Sequence, residues 1–551
     1  MRRLTKVCFS SRFLIFLVKL ILTIRTGVGR GARIIEPQKN RSKADKFMCE
    51  KTLTVLAVGF ILCAIWSGRT AASDWPQLQH DAAHTGYTAD QPEPPYRYLW
   101  HRDLEEPMAT ANQVIAADGK VFVGTGHGNL YALDRRTGKT VWVYKTSAPI
   151  LGSPAYEAGT VYVNSMDHHC YAVKSDTGSV LWKFRTGEGI WASPVLAEAK
   201  VYVAGRDGFV YTLDAHTGTQ VWRSPVGGLV MCTPAYADGT LYVAAGDMYV
   251  YAYEGNTGRQ IWKSPKIPGA AIREYWLVAT NNAVILTSQL AYACHPTQEF
   301  IQQGVMNPYN KAHKDDPVLR DHETFEPLAE WLASHPRHKT LLVLDAKSGR
   351  EKFVAPIITV NGGSCTGPLP AVSPDGWAYT IYGNIWLRAS GWAFFGRLNL
   401  LTGKMEPLIT DRYAPKLQHA DQWHWQPKDD TRFGGTSTWD GGFSVIDQSW
   451  GVSLGGDIAF PVRDPGWPGD PPFNNYYRVS ARQDRYLLAD WRRMASLNTG
   501  TVGGGAMHNT CSPVAISGNN LFHKTSRSVI FAYEGSGRSD EKRANDTGQR
   551  E

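Results

Sequence analysis

Cysteine is scarce in this sequence, and the few cysteines stand far apart. Of the 8 cysteines in 551 residues, those that follow the amino-terminal region are Cys170, Cys232, Cys294, Cys365 and Cys511. None belongs to a C-x-x-C or C-x-x-C-H motif, which excludes the common structural zinc sites and covalently attached c-type haem. An odd number cannot pair completely within one exported chain, so we expect these cysteines to be small buried hydrophobic residues.

An excess of positive charge is also missing from the main part of the chain. The whole sequence has a formal net charge of +8. Residues 1–73 contain 14 Lys/Arg and 3 Asp/Glu, a net of +11, and subtracting this from +8 leaves −3 for the remainder. A slightly acidic folded region excludes nucleic acid as the expected partner. Phosphate-binding loops and dinucleotide fingerprints are absent as well.

Long apolar runs are missing too. The clearest run, residues 53–66, has 14 residues, which is short for a membrane span. A lysine precedes it and small residues at 71–73 follow it, a pattern typical of a signal peptide with its cleavage site. We predict a signal peptide at 48–73, with Met48 as the true start and residues 1–47 as a mis-assigned start or leader. The mature chain is then periplasmic or extracellular without a transmembrane span. The alternative is an amino-terminal membrane anchor.

A unit of 40 residues repeats four times after this leader. Its most regular feature is a tryptophan, preceded by a glycine four residues earlier and by a tyrosine eleven residues earlier. These residues are Trp142, Trp182, Trp222 and Trp262, with Gly138, Gly178, Gly218 and Gly258 and with Tyr131, Tyr171, Tyr211 and Tyr251. A fixed period of this length indicates one supersecondary unit used repeatedly.

Each unit contains four short segments with the alternation typical of β-strands. In the second unit, residues 153–184, the segments are SPAYE, VYVNS, CYAVK and VLWKF. The Thr-Gly pair before the last segment closes a hairpin in which glycine adopts positive φ without steric cost. Four antiparallel strands in such a unit form the blade of a β-propeller. The outermost strand carries a tryptophan that is predicted to pack on the next blade. The predicted docking residues are Trp100, Trp142, Trp182, Trp222 and Trp262.

The pattern G-x-x-Y-V-x-x-x-D-G-x-x-Y-x-L-D-x-x-T-G-x-x-x-W resembles the pyrroloquinoline-quinone-type repeat family. Residues 119–142 and 197–222 match it well, and the stretch SDWPQLQHDAAHTGY (73–87) is similar to the lead-in of exported bacterial members. The resemblance covers about residues 74–270 and implies an all-β propeller. The family includes quinone-dependent dehydrogenases and non-enzymatic scaffolds, so the resemblance implies no single activity.

Four further units are irregular, and together with the regular ones they predict an eight-bladed β-propeller. Their strand signals lie at residues 276–353, 367–408, 433–493 and 512–535. The last unit lacks its own outer strand, which residues 96–104 with Trp100 can supply, so that the ring closes and exposed strand edges are removed. The alternative is seven blades, with residues 433–493 acting as a lid. We predict a single propeller domain at 74–535 and a disordered tail at 536–551.

Extra sequence interrupts the later units near residues 290–339, 384–395, 409–432 and 490–510. In a four-stranded blade these places fall between strands two and three or between blades, which is one end of the channel. Loops of this length in a compact fold are usually functional, so they predict a lid over a binding pocket. The candidate ligand contacts are His169, Arg206, Asp247, Trp386, Arg388, Trp423, His424, Trp425 and Trp450, whose rings and polar groups suit a ligand site.

No catalytic or metal-binding residue can be assigned from these motifs. The stretch DHHC at residues 167–170 contains metal-ligand types. Neighbouring residues of a strand point in opposite directions, however, so His168 and His169 cannot both face one ion unless the loop turns there. We therefore predict no metal site.

These features favour a secreted propeller that binds a small molecule, a carbohydrate or a protein partner on its lidded face without catalysis. The alternative is a dehydrogenase dependent on pyrroloquinoline quinone (PQQ), for which the resemblance implies a quinone held over calcium in the channel. The sequence lacks the adjacent cysteines typical of alcohol-oxidising members, a clear calcium-binding cluster and a haem motif. A scaffold of the outer-membrane assembly type is disfavoured by the insertions.

Overall fold

The repeated units fold into the small antiparallel sheets that their alternating apolar residues predict. The computed structural model describes residues 73–92, 96–109, 111–272, 275–289, 325–357, 359–360, 369–383, 392–407, 443–444, 449–456, 458–463, 479–482, 485–488, 513–524 and 528–535. Nearly all regular structure in these residues is β-strand, which confirms the all-β prediction. The predicted leader, the signal peptide up to residue 72 and the tail lie outside the described residues.

Two strands precede the first repeat, β1 (Tyr87–Thr88) and β2 (Tyr96–Asp103). Each of the next four sheets consists of four strands in consecutive antiparallel order. They are β3 (Ile115–Ala117), β4 (Lys120–Gly124), β5 (Asn129–Asp134) and β6 (Thr140–Lys145) in sheet one; β7 (Ala155–Glu157), β8 (Thr160–Asn164), β9 (His169–Lys174) and β10 (Val180–Arg185) in sheet two; β11 (Val195–Ala197), β12 (Lys200–Ala204), β13 (Phe209–Asp214) and β14 (Gln220–Pro225) in sheet three; and β15 (Ala235–Ala237), β16 (Thr240–Ala245), β17 (Tyr249–Glu254) and β18 (Gln260–Lys263) in sheet four.

The later sheets keep this plan with additions. Sheet five has β19 (Val278–Thr280), β20 (Ala283–Thr287), β21 (Leu341–Asp345) and β22 (Glu351–Phe353). Helix α1 (Phe325–Ser334) and a 3-10 turn (Pro336–His338) lie between β20 and β21 in the chain. Sheet six has β23 (Thr359–Val360), β24 (Ala371–Val372), β25 (Trp377–Gly383), β26 (Trp392–Asn399) and β27 (Met405–Pro407), with β28 (Phe443–Ser444) paired to β26. Sheet seven has β29 (Ser449–Gly455) and β30 (Ile458–Arg463), and the hairpin β31 (Val479–Arg482) and β32 (Arg485–Leu488) lies against β30. Sheet eight has β33 (Ala515–Ser517), β34 (Asn520–Lys524) and β35 (Val529–Gly535).

The amino-terminal strand β2 completes the last sheet. It pairs antiparallel with β35, which gives the order β2-β35-β34-β33. Residues of sheet eight such as Val514 and Ile516 share one apolar core with Val114 and Ala116 at the start of sheet one. The described strands thus group into eight successive sheets, which confirms the prediction of eight blades. Residues 433–493 contain strands β28 to β32, so this region contributes a sheet.

The apolar cores lie between neighbouring sheets. Ile115 and Phe122 of sheet one, for example, pack with Val161 and Val173 of sheet two. In sheet two, for example, the second and third strands are largely buried on both faces, whereas the outer strand consists of half-buried and exposed residues. Cys170 lies in one of these cores, as expected for a small hydrophobic residue.

A tryptophan on the outer strand of one sheet contacts the turn of the next sheet. The Nε1–H of Trp222 donates a hydrogen bond to the carbonyl oxygen of Gly255 at 2.9 Å. Its ring lies over Gly258, which has φ +72°, and a Cβ at that glycine would come within 2.5 Å of the indole. The corresponding bonds are Trp100 to Arg135 (3.0 Å), Trp142 to Ser175 (2.7 Å), Trp182 to Ala215 (3.0 Å) and Trp262 to Ala346 (3.0 Å). In sheet five Phe353 takes this place, against Gly403.

Two predicted insertions contain regular structure. Helix α1 lies inside the predicted insertion at 290–339, and its Leu328 and Leu332 are fully buried. Strand β26 begins at Trp392, so residues 392–395 of the insertion predicted at 384–395 belong to a strand, and residues 384–391 lie outside the described residues. In the part of the chain that the structure describes, no helix has the length and apolar character needed to cross a membrane.

We expect Trp222→Ala to lower the free energy of unfolding by about 3–5 kcal/mol, because it removes a buried ring and leaves a cavity between sheets. Trp222→Phe keeps a ring, so it loses less packing than Trp222→Ala. The loss of the hydrogen bond to Gly255 adds about 1 kcal/mol to the cost of the packing that it does lose. Urea unfolding of the mature protein measures both. The neighbouring Val221 is 49% exposed, so Val221→Ala is the control, with a change within about 0.5 kcal/mol. Equal effects of Trp222→Ala and Val221→Ala would contradict a docking role.

Candidate functional site

The order of the strands shows at which end of each sheet the chain leaves and re-enters around a long insertion. In each antiparallel sheet, the turns from strand one to two and from strand three to four share one end, here called the hairpin end. The loop from strand two to three and the connection to the next sheet share the other end, here called the insertion end. Sheet five shows the contrast, because residues 281–282 join β19 to β20, whereas residues 288–340 separate β20 from β21.

The carboxylates on short loops of the insertion end bind tyrosines of their own sheets. Oδ2 of Asp207 accepts hydrogen bonds from the hydroxyl of Tyr211 at 2.7 Å and from the N–H of Gly187 at 2.7 Å. Its Oδ1 accepts the N–H of Phe209 at 3.1 Å. The equivalent pairs are Asp167 with Tyr171 (2.8 Å) and Asp247 with Tyr251 (2.5 Å). These carboxylates fix the loop to the third strand, so much of their acceptor capacity is used inside the sheet.

Sheet one lacks this aspartate, and Glu106, from the segment before the sheet, replaces it. His127 stands at the equivalent position. Oε1 of Glu106 accepts hydrogen bonds from the hydroxyl of Tyr131 and from Nδ2 of Asn129, both at 2.6 Å, and Oε2 accepts the hydroxyl of Thr125 at 2.5 Å. Burial raises the pKa of Glu106, but these hydrogen bonds outweigh burial, and the pKa lies below its usual value. Sequence reasoning missed Glu106, and the histidine at 127 was the signal that a carboxylate had to come from elsewhere.

Three predicted ligand contacts lie at the insertion end of successive sheets, two of them on short loops and His169 at the start of β9. His169 is half-buried, with Nδ1 2.9 Å from the carbonyl oxygen of Asp167. Asp247 is also half-buried, and besides binding a tyrosine it lies 3.5 Å from Nζ of Lys263. Arg206 is exposed. Of the three, Arg206 therefore keeps the most freedom to meet a ligand.

The other predicted contacts cannot be placed in the same way. Those that lie outside the described residues are Trp386, Arg388, Trp423, His424 and Trp425. Trp450 lies in β29, but its side chain is outside the described part of the structure. Their part in a ligand site stays a prediction.

A series of hydroxyl groups joins the innermost strands near the channel. The hydroxyl of Ser153 accepts the N–H of Gln113 at 2.8 Å, and that of Ser193 accepts the N–H of Ser153 at 2.8 Å. Thr233 continues the series by accepting the N–H of Ser193 at 3.1 Å. Each bond links one sheet to the next, so these polar residues of the repeat stabilise the contact between neighbouring sheets.

Some buried polar atoms beside the innermost strands have no hydrogen-bond partner among the described residues. They include the side-chain amide of Gln79, Nε2 of His84 and Nε1 of Trp276. Nδ1 of His84 lies 2.8 Å from the carbonyl oxygen of Leu277. Burial lowers the pKa of His84 to about 4, so this imidazole is neutral at pH 7. A buried polar atom without a partner costs free energy, and a polar group bound beside it would be stabilised.

The DHHC stretch separates its two histidines. Nδ1 of His168 lies 3.1 Å from the carbonyl oxygen of Gly187, whereas His169 contacts the carbonyl oxygen of Asp167. Within the described ranges, no group of three or more His, Cys, Asp and Glu side chains has an arrangement that could hold a metal ion. The histidines of this stretch therefore orient their own loop.

One stretch of the sequence matches a motif of serine hydrolases but forms part of a strand. Residues 451–455 read G-V-S-L-G, the letters of a nucleophile elbow. An elbow needs a sharp turn between a strand and a helix, but these residues lie inside β29. Ser453 is fully buried, and its hydroxyl donates to the carbonyl oxygen of Val514 at 2.6 Å. This serine joins sheets seven and eight and is not available as a nucleophile.

Comparisons with known proteins agree with this fold. A sequence profile of the family described as outer membrane protein assembly factor BamB matches residues 97–190 and 171–295. No curated protein sequence matches the chain. The fold is similar to that of a quinohemoprotein alcohol dehydrogenase from Comamonas testosteroni, with 12% identity over 85% of this chain and 81% of that chain and a TM-score of 0.50.

It is also similar to a europium-containing methanol dehydrogenase, with 11% identity over 84% of this chain and 98% of that chain and a TM-score of 0.51. BamB from Moraxella catarrhalis matches at 12% identity over 80% of this chain and 98% of that chain, but its TM-score of 0.35 is too low to support an inference. At such identities the likeness shows the fold alone.

The tyrosines at the insertion end predict a loss of stability in alkali. Burial, together with the hydrogen bond to a carboxylate, raises the pKa of Tyr131 and of Tyr211 to about 12. A raised pKa means that the folded state holds the proton more tightly, so this stabilisation is complete below pH about 10 and is lost as the pH rises to about 12. Denaturant unfolding at several pH values checks this. We expect a smaller alkaline loss in Tyr211→Phe, and an identical loss in both proteins would contradict the assignment.

Proposed function

This chain is a propeller built from pyrroloquinoline-quinone-type repeats, and on that premise we propose that it is an exported binding protein. It binds a small molecule, a carbohydrate or a protein partner at the insertion end of the channel and catalyses no reaction there. The amino-terminal signal sequence, which lies outside the described residues, directs it to the periplasm or the cell exterior. The ligand contacts are the aromatic and polar residues of the insertions together with Arg206 and His169.

The observation that carries this proposal is the difference between the two ends of the sheets. At the hairpin end the turns stay short, as in residues 158–159 between β7 and β8 and residues 175–179 between β9 and β10. At the insertion end the chain leaves one described strand and re-enters the next through residues 288–340, residues 384–391 and the long segments that flank sheet seven. Long segments gathered on one face of a rigid scaffold are where binding residues are usually found.

The insertions also carry the residue types that bind flat or ring-shaped ligands. Tryptophans at 386, 423 and 425 in the insertions, together with Trp450 in β29, supply large apolar faces with a polar edge, which suit sugar rings and planar molecules. Arg388 and His424 supply hydrogen-bonding groups that orient such a ligand. The repeat sheets bring their own carboxylates, but these are already bonded to tyrosines.

The second candidate function is a PQQ-dependent alcohol or sugar dehydrogenase. Two similar folds belong to an alcohol dehydrogenase and a methanol dehydrogenase, and this is the observation in its favour. The described carboxylates do not fit a calcium site of that kind, because Glu106, Asp167, Asp207 and Asp247 bind tyrosines and form no metal-holding group in the described residues. We therefore derive no reaction step through a quinone or a metal.

A mixture of the mature protein with PQQ and calcium separates the two functions. We expect no dye reduction when alcohols or aldoses are added, because the proposed site binds without oxidising its ligand. Tryptophan fluorescence and a dye-linked assay measure binding and turnover in the same sample. Saturable quenching by the quinone together with substrate-dependent dye reduction would establish the dehydrogenase instead.

Shortening the largest insertion tests the binding face. We expect replacement of residues 290–324 by a short Gly-Ser linker to weaken capture on an array of immobilised glycans and soluble periplasmic proteins at least tenfold. Helix α1 is kept because its Leu328 and Leu332 are fully buried, so thermal unfolding should stay cooperative. His216 lies exposed at the hairpin end, and His216→Ala is the matched control with unchanged capture. Unchanged capture by the shortened protein would count against the proposal.

A further inference from the structure

The innermost strand of a propeller sheet has one edge that no other strand of the same blade covers. The backbone N–H and C=O groups on that edge face the channel, where they need partners. Residues 73–92, here called the belt, supply them. Trp75 exchanges two hydrogen bonds with Ala116 in the middle of β3, donating at 2.7 Å and accepting at 3.0 Å.

The belt then reaches the innermost strands of later sheets in order. Its backbone carbonyl oxygens accept the N–H at the corresponding position of each strand. The pairs, with the carbonyl first, are Pro76 with Tyr156 (2.7 Å), Ala82 with Tyr236 (2.7 Å), Ala83 with Ala279 (2.9 Å), Thr85 with Val372 (2.7 Å) and Gly86 with Leu454 (2.7 Å). These partners belong to sheets two, four, five, six and seven, so the belt follows the circle of sheets.

Side chains complete the circuit at sheets three and eight. Oε1 of Gln77 accepts the N–H of Leu196 at 3.0 Å, and its Nε2 donates to the carbonyl oxygen of Leu196 at 3.3 Å. The carboxylate of Asp90 accepts the N–H of Gly518 at 2.5 Å and the hydroxyl of Ser73. The two ends of the belt therefore meet beside the eighth sheet.

A hydrogen bond also connects the two halves of the belt to each other. The N–H of Gly86 donates to the carbonyl oxygen of Gln79 at 2.9 Å, which ties the later half of the belt to the earlier half. Trp75, Gln79 and His84 are each at most 2% exposed. Side chains that are closed off from solvent on all sides leave no water-filled opening beside them.

The belt lies toward the hairpin end. Each strand residue that it binds is followed closely by the turn to the second strand, as Tyr156 is followed by the turn at residues 158–159. The insertions lie beyond the other end of the same strands. The belt and the insertions therefore face opposite ends of the channel.

We propose that the belt closes the channel at the hairpin end, so that a small-molecule ligand enters only from the insertion end. This inference rests on the proposed function for its ligand, but the closure itself is a property of the fold. The channel is then a well with one mouth, and the mouth is the face that carries the insertions.

Two glycines provide a matched test of the closure in the full mature chain. Gly86 has φ +65°, and a Cβ there would lie 2.4 Å from Oε1 of Gln79. Gly119 has φ +69° with nothing within 4 Å of its Cβ position, so Gly119→Ala adds the same backbone strain without touching the belt. We expect Gly86→Ala to speed hydrogen–deuterium exchange of the inner strands of sheets two, four, five, six and seven together, at least tenfold. Gly119→Ala should leave their exchange unchanged.

Hydroxyl-radical oxidation of Trp75 measures the closure directly. We expect no oxidation in the wild type or in Gly119→Ala, and oxidation in Gly86→Ala. Oxidation of Trp75 in the wild type, unprotected inner-strand amides in the wild type, or equal effects of the two glycine variants would overturn the proposal.

A second variant covers failure of Gly86→Ala to fold. Gln77→Ala removes both hydrogen bonds to Leu196. We expect at least tenfold faster hydrogen–deuterium exchange of the β11 peptide and unchanged exchange of the innermost strands of the other sheets. Unchanged exchange at β11 would overturn the proposal. These measurements need no ligand, so failure of the closure is distinguishable from failure of the proposed binding function.

Discussion

The hydrogen bond from an outer-strand indole to a backbone carbonyl of the next sheet sets the distance between sheets. For Trp142, Trp182 and Trp222 the acceptor lies 33 residues further along the chain in each case, so the 40-residue unit repeats one contact geometry. The ring fills the space above a turn glycine, and any side chain at that glycine would force the sheets apart. A constant step between sheets, repeated around a circle, brings the eighth sheet beside the first and leaves a central channel between the innermost strands.

The segment before the first repeat serves both edges of this circle. Residues 73–92 bind the innermost edges, and β2, only a few residues later, forms the outermost strand of sheet eight. Trp100 on β2 then docks on sheet one through the carbonyl oxygen of Arg135. The pairing of β2 with β35 joins residues that are more than 400 positions apart, so the closing strand cannot form until the last sheet is present. Contacts of such long range form late and slowly.

The regular part of the fold could be predicted because each of its contacts leaves a side-chain signature at a fixed interval. The closing strand could be predicted as well, because Trp100 stands in a strand-like stretch outside the series. The belt could not, since its bonds are mostly made by backbone carbonyls that any residue supplies. Glu106 escaped prediction because it comes from outside the sheet that it serves. The site was predicted only by its position, because sequence that does not repeat carries no internal comparison.

The proposed ligand contacts lie at the insertion end for a physical reason. A repeat sheet must satisfy its own buried polar groups, and the aspartates at 167 and 207 use both carboxylate oxygens on tyrosines and loop N–H groups. A ligand therefore gains little from these groups without costing the sheet its stability. The insertions lie outside the repeat, so on the proposed function their sequence can change to alter binding specificity while the indole contacts and the belt stay the same. The requirements of folding are then separate from those of recognition.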